Sequence, residues 1–239
     1  MRGISARSLD EVLAAVNAVK GSSVELGAEL FDVVAVLDRE PALRRVLTDP
    51  STEASAKALL AKQVFGSQRS KDALAVVETA ASGRWASGRD LTDGLETAGV
   101  TALVAAADSA GGLDAVETEL FEVERLVRSD AELRQVVSDR ALPASAKGEL
   151  LSTLLSGKVT ATTLALAAQA SVARTGSFEK ALTSFGETAA ARRSRLVAEV
   201  RVAHGSTMTR RTAWPLRWAA STDTKSTSTS SSILRSSEA

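Results

Sequence analysis

The sequence of 239 residues contains no cysteine, no tyrosine and a single histidine, and its whole aromatic content is three tryptophans and five phenylalanines. Without cysteine there is neither a disulfide framework nor a thiolate metal site, and one histidine cannot build a histidine cluster, so no cofactor and no metal is expected. The lack of cysteine fits a cytosolic address. Scarce aromatics beside abundant Ala, Leu, Val and Ser favour close-packed helices over a sheet. Net charge is missing as well: Lys+Arg and Asp+Glu number 29 each, which leaves no global field to draw nucleic acid or an anionic bilayer. Apolar runs such as residues 101–107 and 164–173 fall well short of the roughly 20 residues of a spanning helix. Residues 1–7 carry no apolar signal-peptide core, so neither export nor membrane insertion is expected.

What is present is a text written twice. The stretch ELFEVERLVRSDAELRQVVSDRALPASAKGELL, which begins at Glu119, repeats ELFDVVAVLDREPALRRVLTDPSTEASAKALL, which begins at Glu29, about ninety positions earlier. Matches include Leu30/Leu120, Phe31/Phe121, Val33/Val123, Leu43/Leu133, Asp49/Asp139, Lys57/Lys147 and Leu60/Leu150. The same register reaches back to Leu13/Leu103 and Gly21/Gly111, and with one inserted residue forward to Leu91/Leu182 and Ala98/Ala189. A unit of about ninety residues has been duplicated.

Local signals place helices throughout. SLDE from Ser8 reads as a capping box opening a first helix that Gly21 stops, and Ser22–Glu25 opens a second with Leu26, Leu30, Val33, Val34 and Leu37 on one face. Pro41 suits a first helical position, and further helices follow over residues 52–65, 70–82 and 87–110. The last of these has two tasks, since its front closes the first unit and residues 101–110 open the second. Asp114 and the box at Ser129–Glu132 are candidate caps, Pro143 starts another helix, residues 160–174 form the next, and Ser177 caps the longest. The expected fold is all-α: two tandem bundles sharing a linking helix, with residues 1–97 and 98–203 as the two repeats. Residues 204–239, about half Ser or Thr from Gly205 on, read as a disordered tail.

No constellation points to catalysis. His204 has no patterned partner, Gly111 and Gly112 sit between helices rather than after a strand, and Glu117, Glu119, Glu122 and Glu124 alternate around one helix as its solvated face. The basic run Arg192, Arg193, Arg195 and Arg201 lacks the aromatic interleaving of a nucleic-acid surface. The Ala-rich faces at residues 102–107 and 165–170 say more, because small side chains let another helix come close. The class is a scaffold.

Leu133, Arg134, Asp139, Ser145-Ala146-Lys147, Leu150-Leu151, Arg174 and the run AAARRSRLVAEV from Ala189 resemble the delta subunit of F-type ATP synthase, counterpart of the mitochondrial oligomycin sensitivity-conferring protein. The resemblance covers roughly residues 98–203, and the first repeat resembles the duplicated extra domain of actinobacterial-type delta subunits. It implies a non-catalytic stator on the cytoplasmic face of the plasma membrane. There the N-terminal bundle grips N-terminal helices of alpha subunits and a C-terminal domain holds subunit b. It also places the alpha helix between the first and fifth helices of the bundle, with Leu103, Val104, Leu164 and Ala168 as lining residues. Outside the synthase, a tandem helical adaptor is the alternative. Residues 204–239 depart from the family pattern: read one nucleotide out of phase with permitted codons, the last stretch yields VHLNVVVDPAVLGG, like the family's strand and turn. A change of reading frame near His204, impairing the hold on subunit b, is therefore expected.

Overall fold

The computed structural model describes residues 3–19, 21, 23–173 and 176–203, with residues 195–203 as backbone alone. The expected disordered tail lies outside the described residues. Within them the chain is all-helical, as its composition requires: α1 (Ile4–Ala18), α2 (Val24–Arg39), α3 (Pro41–Thr48), α4 (Ala54–Phe65), α5 (Lys71–Ser82), α6 (Gly88–Ser109), α7 (Leu113–Ser129), α8 (Ala131–Ser138), α9 (Ala144–Leu155), α10 (Ala161–Ser171) and α11 (Phe178–Ala203).

Of the expected caps, Ser177 forms, accepting the Lys180 N–H (3.3 Å), and Pro41 sits in the first turn of α3. At the helix starts expected at residues 70, 87 and 160, Ser70, Ser87 and Thr160 each accept the N–H of a residue three positions on, and in the Ser22–Glu25 box Ser23 does so. Others differ. The helix α1 begins a turn before Ser8, whose buried hydroxyl instead donates to the Arg84 carbonyl (2.7 Å) and accepts from the Arg84 N–H (2.8 Å). A tertiary bond has outbid the local capping box. Asp114 lies inside the first turn of α7 rather than capping it, and in the Ser129–Glu132 segment the cap is Asp130.

Two hydrophobic cores meet on α6. The first is built from Val12, Val16, Leu30, Val33, Leu37, Val76, Leu91 and Leu95, and the second from Leu103, Val116, Leu120, Val123, Leu151, Leu166 and Leu182. The stripes of α2 and α7 correspond at a shift of ninety, but those of α1 and α6 do not: Val12 and Val16 match Leu103 and Ala107, a shift of ninety-one. The first unit has one more residue between its opening helix and the left-handed glycine, Gly21 (φ 75) against Gly111 (φ 69). The identity of Leu13 and Leu103 is therefore not structural, since Leu13 is half-buried and outside the core while Leu103 is fully buried.

Polar fastenings are duplicated along with the cores. Glu29 on α2 accepts the backbone N–H of Ser70 (2.9 Å) and its hydroxyl, and Glu119 on α7 does the same for Thr160 (2.9 and 2.8 Å). Each pairing ties the second helix of a unit to the N-terminus of its fifth, where a carboxylate is favoured. At the other end of those helices, buried Lys57 donates to the Gly83 carbonyl (2.9 Å) and buried Lys147 to the Ser171 carbonyl (3.0 Å). Loss of water around them pushes both ammonium groups below the usual lysine range.

Two predictions follow from this packing. A Cβ at Gly27 would lie 2.5 Å from Leu103 Cγ and 3.0 Å from the Gly99 carbonyl oxygen. Overpacking by ~1–3 kcal/mol then exceeds the ~1 kcal/mol gain in helix propensity, so Gly27→Ala lowers the urea midpoint. Gly148→Ala in α9, with nothing within 4 Å, raises it. The lysines act on pH dependence. Their folded values lie below the ordinary 10.5, so between the two the unfolded chain holds more protons and stability rises with pH towards 10.5. In urea titrations across that window the rise disappears in Lys57→Met/Lys147→Met. That variant also loses ~1–3 kcal/mol per unpaired carbonyl.

Candidate functional site

The face singled out by its small residues is built from the second half of α6 and from α10. On α6, Leu103 and Val104 are both 0% exposed, so they are core rather than wall. The reason is α2, which lies along α6 with Gly27 against Leu103 and Phe31 against Gly99, and which also touches α10. Val24 and Phe31 of α2 pack on the second core. Leu164 and Ala168 on α10 remain half-buried. The structure thus separates the four residues into a buried pair on α6 and a reachable pair on α10.

The α10 helix is positioned from three sides. Leu166, Ala167 and Ala170 enter the second core, Thr160 at its start is held by Glu119, and Gln169 Nε2 donates to Glu96 Oε1 on α6 (2.5 Å). Sequence reasoning passed over Gly27 and Phe31. A signal for them existed: Phe31 stands next to Leu30 but off the stripe of Leu26, Leu30, Val33 and Leu37, which marks a second apolar face on α2.

Where the units adjoin, Leu9 of α1, Asp93, Glu96, Thr97 and Val100 of α6, and Lys180, Ser184 and Phe185 of α11 line a cleft of about 320 Å³. Its mixture of hydroxyls and opposite charges suits a wetted seam between helices. Two arginines of the basic run on α11 are drawn into ion pairs: Arg192 meets Asp108 (2.7 Å) and also donates to Asn17 Oδ1 (3.0 Å), and Arg193 meets Asp114 (2.7 Å) and Glu117 (3.0 Å). The Asp114 carboxylate raises the already high affinity of Arg193 for its proton. These arginines serve the seam and the α7–α11 pair. Two further carboxylates of α7 are likewise committed, Glu119 to Thr160 and Glu124 to Arg128 (2.6 Å). Among the described residues no three His, Cys, Asp or Glu side chains gather as a metal ion needs, and no helix is long and apolar enough to cross a membrane. His204, Arg174 and the side chains of Arg195 and Arg201 lie outside the described residues.

Comparison with known proteins gives this architecture a family. The model of the ATP synthase delta (OSCP) subunit matches residues 100–212. The ATP synthase subunit delta of Nocardia farcinica is 42% identical over 202 residues, covering 84% of this chain and 75% of that protein. That of Rhodococcus opacus is 42% identical over 213 residues, covering 85% and 77%, and that of Streptomyces avermitilis is 45% identical over 181 residues, covering 75% and 66%. These alignments extend well in front of residue 100, so the likeness includes the first unit. The chain belongs to the ATP synthase delta (OSCP) subunit family, whose members are structural stalk subunits rather than catalysts.

Proposed function

We propose that this chain is a stator subunit of a proton-translocating F-type ATP synthase, holding alpha subunits of the catalytic head and, through the stalk, subunit b. In this reading residues 98–203 are the delta-type bundle and residues 1–97 an extra copy of it. The synthase is reached from the cytoplasmic face of the plasma membrane. Rotation of a central shaft makes ATP only if the head is kept from turning, so the subunit's work is mechanical coupling. The observation that carries the reading is α10, a helix mainly of Ala, Thr and Leu fixed on three sides whose Leu164 and Ala168 stay half-buried. Such a surface admits the close approach of a partner helix. The resemblance gives the hold on subunit b to the part beyond the bundles, and the change of reading frame proposed for residues 204–239, which lie outside the described ones, impairs it.

Calorimetric titration of the full chain with the N-terminal peptide of its cognate alpha subunit tests this. The peptide is expected to bind with apolar burial, seen as a negative heat-capacity change. Ala168→Glu, which desolvates a charge under the docked helix, is expected to weaken binding tenfold or more, about 1.4 kcal/mol. No heat with the wild type, or equal binding by the variant, overturns the assignment.

A further inference from the structure

The second unit completes the first, but nothing among the described residues completes the second in the same way. In the first unit the paired helices α2 and α6 offer an outer face of Phe31, Glu96 and Gly99, and α10 of the second unit lies beside it. Phe31 packs on the second core, and Glu96 accepts the amide of Gln169. The duplication carries this face to α7 and α11. At the shifts fixed by the cores, Phe31 becomes Phe121, Glu96 becomes Glu187, and Gly99 and Val100 become Ala190 and Ala191.

Part of the copied face is closed. Where α2 has Val24 and Gly27, α7 has Asp114 and Glu117, and both are taken by Arg193. Polar replacement is how a terminal repeat seals itself against water. Phe121 is not replaced. It is 65% exposed, more than any other large apolar side chain among the described residues, and Glu187 and Ala191 beside it in the copied face are exposed too. A sealed end would have no use for a phenylalanine there.

We propose that Phe121, Glu187, Ala190 and Ala191 form a docking face for a helix of another polypeptide, one with the chemistry of α10. Its contact stripe consists of Ala, Thr and Leu, and it carries one side-chain N–H donor for Glu187. The template is the resident helix: α10, rich in Ala, Thr and Leu, lies beside the corresponding face of the first unit and gives it the Gln169 amide. A second copy of this chain fits poorly. Its own α10 is locked in the second core by Leu166, Ala167 and Ala170. Its α5, the duplicate of α10, has Thr79 in place of Gln169, and that hydroxyl already donates to the Ala75 carbonyl (2.8 Å), so α5 brings no amide donor to Glu187. This face is separate from Leu164 and Ala168, and its failure leaves the alpha-peptide titration unaffected.

The test is an NMR titration of the full chain with a capped peptide of residues 160–174, TATTLALAAQASVAR. Saturable shifts centred on α7 and α11 around Phe121 are expected. Phe121→Asp, which folds because the side chain is exposed, is expected to weaken binding at least tenfold, and Glu187→Gln about threefold. A peptide with leucine in place of the residue equivalent to Gln169 should bind like wild-type peptide on Glu187→Gln. The proposal fails if no α7 or α11 signal moves up to millimolar peptide. It also fails if Phe121→Asp binds as wild type, or if the shifts fall on α2 and α6, the mark of exchange with the resident α10. Self-association that Phe121→Asp abolishes without any peptide would assign the face to a second copy and likewise overturn it.

Discussion

Everything in this molecule depends on one helix being apolar on nearly all sides. An ordinary surface helix buries one stripe, but α6 gives Leu91, Leu95 and Ala98 to the first core and Val100, Leu103 and Val104 to the second. Between those two directions it must still admit α2, and this explains its composition. With Gly94, Gly99, Ala102 and Ala105 among its buried residues, three partners can pack closely on a helix whose bulky side chains are needed elsewhere. Glycine in a helix costs about 0.5–1 kcal/mol relative to alanine. Here the cost is offset by the seating of Phe31 on Gly99 and of Leu103 on Gly27, contacts that a single added methyl would break.

The duplicated polar bonds follow from the same crowding. A unit that spends its apolar surface on cores and on a neighbour must end its helices with polar partners, because buried helix termini cannot be left to water. Glu29 and Glu119 close the starts of α5 and α10, and Lys57 and Lys147 close their ends. Each lysine is buried at a cost that lowers its proton affinity, yet each keeps a carbonyl partner at 2.9–3.0 Å. Breaking such a bond exposes the full desolvation cost of the carbonyl, whereas making it gains only a modest net amount. These residues therefore specify where the fifth helix of each unit sits more than they add to its stability.

Much of this could be read from the sequence because it is local. Stripes on α2 and α7, the cap at Ser177, Pro41 and the duplication itself are written within a few residues of where they act. The failures are the non-local ones. Ser8 looked like a cap until the chain brought Arg84 to it, and the chance identity of Leu13 and Leu103 hid a one-residue difference in a connection. Leu103 and Val104 looked like groove walls because an Ala-rich stripe reads the same whether it faces a partner subunit or a helix of its own chain. Only the position of α2 distinguishes the two. Leu164, though packed on the edge of the second core, and Ala168 keep part of their surface because α10 gives side chains to one core and α6 to two.

Sharing α6 also has a mechanical consequence. Two bundles joined by a loop can hinge at it, since loop backbone has few bonds to lose. Here the connection is a helix of 22 residues, about 33 Å long, buried on both flanks. To bend the units apart, α6 would have to break its own hydrogen bonds, or the chain would have to pull Phe31 off Gly99 and Arg192 off Asn17. Packed interiors resist such displacement and pass strain on instead of absorbing it. In the proposed role, a part that holds a catalytic head against torque needs that property, and a duplicated bundle lengthens its reach without introducing a joint. In that proposed role the duplication contributes stiffness as well as contact surface, since a link under load is only as rigid as its weakest connection and α6 makes the second bundle continuous with the first.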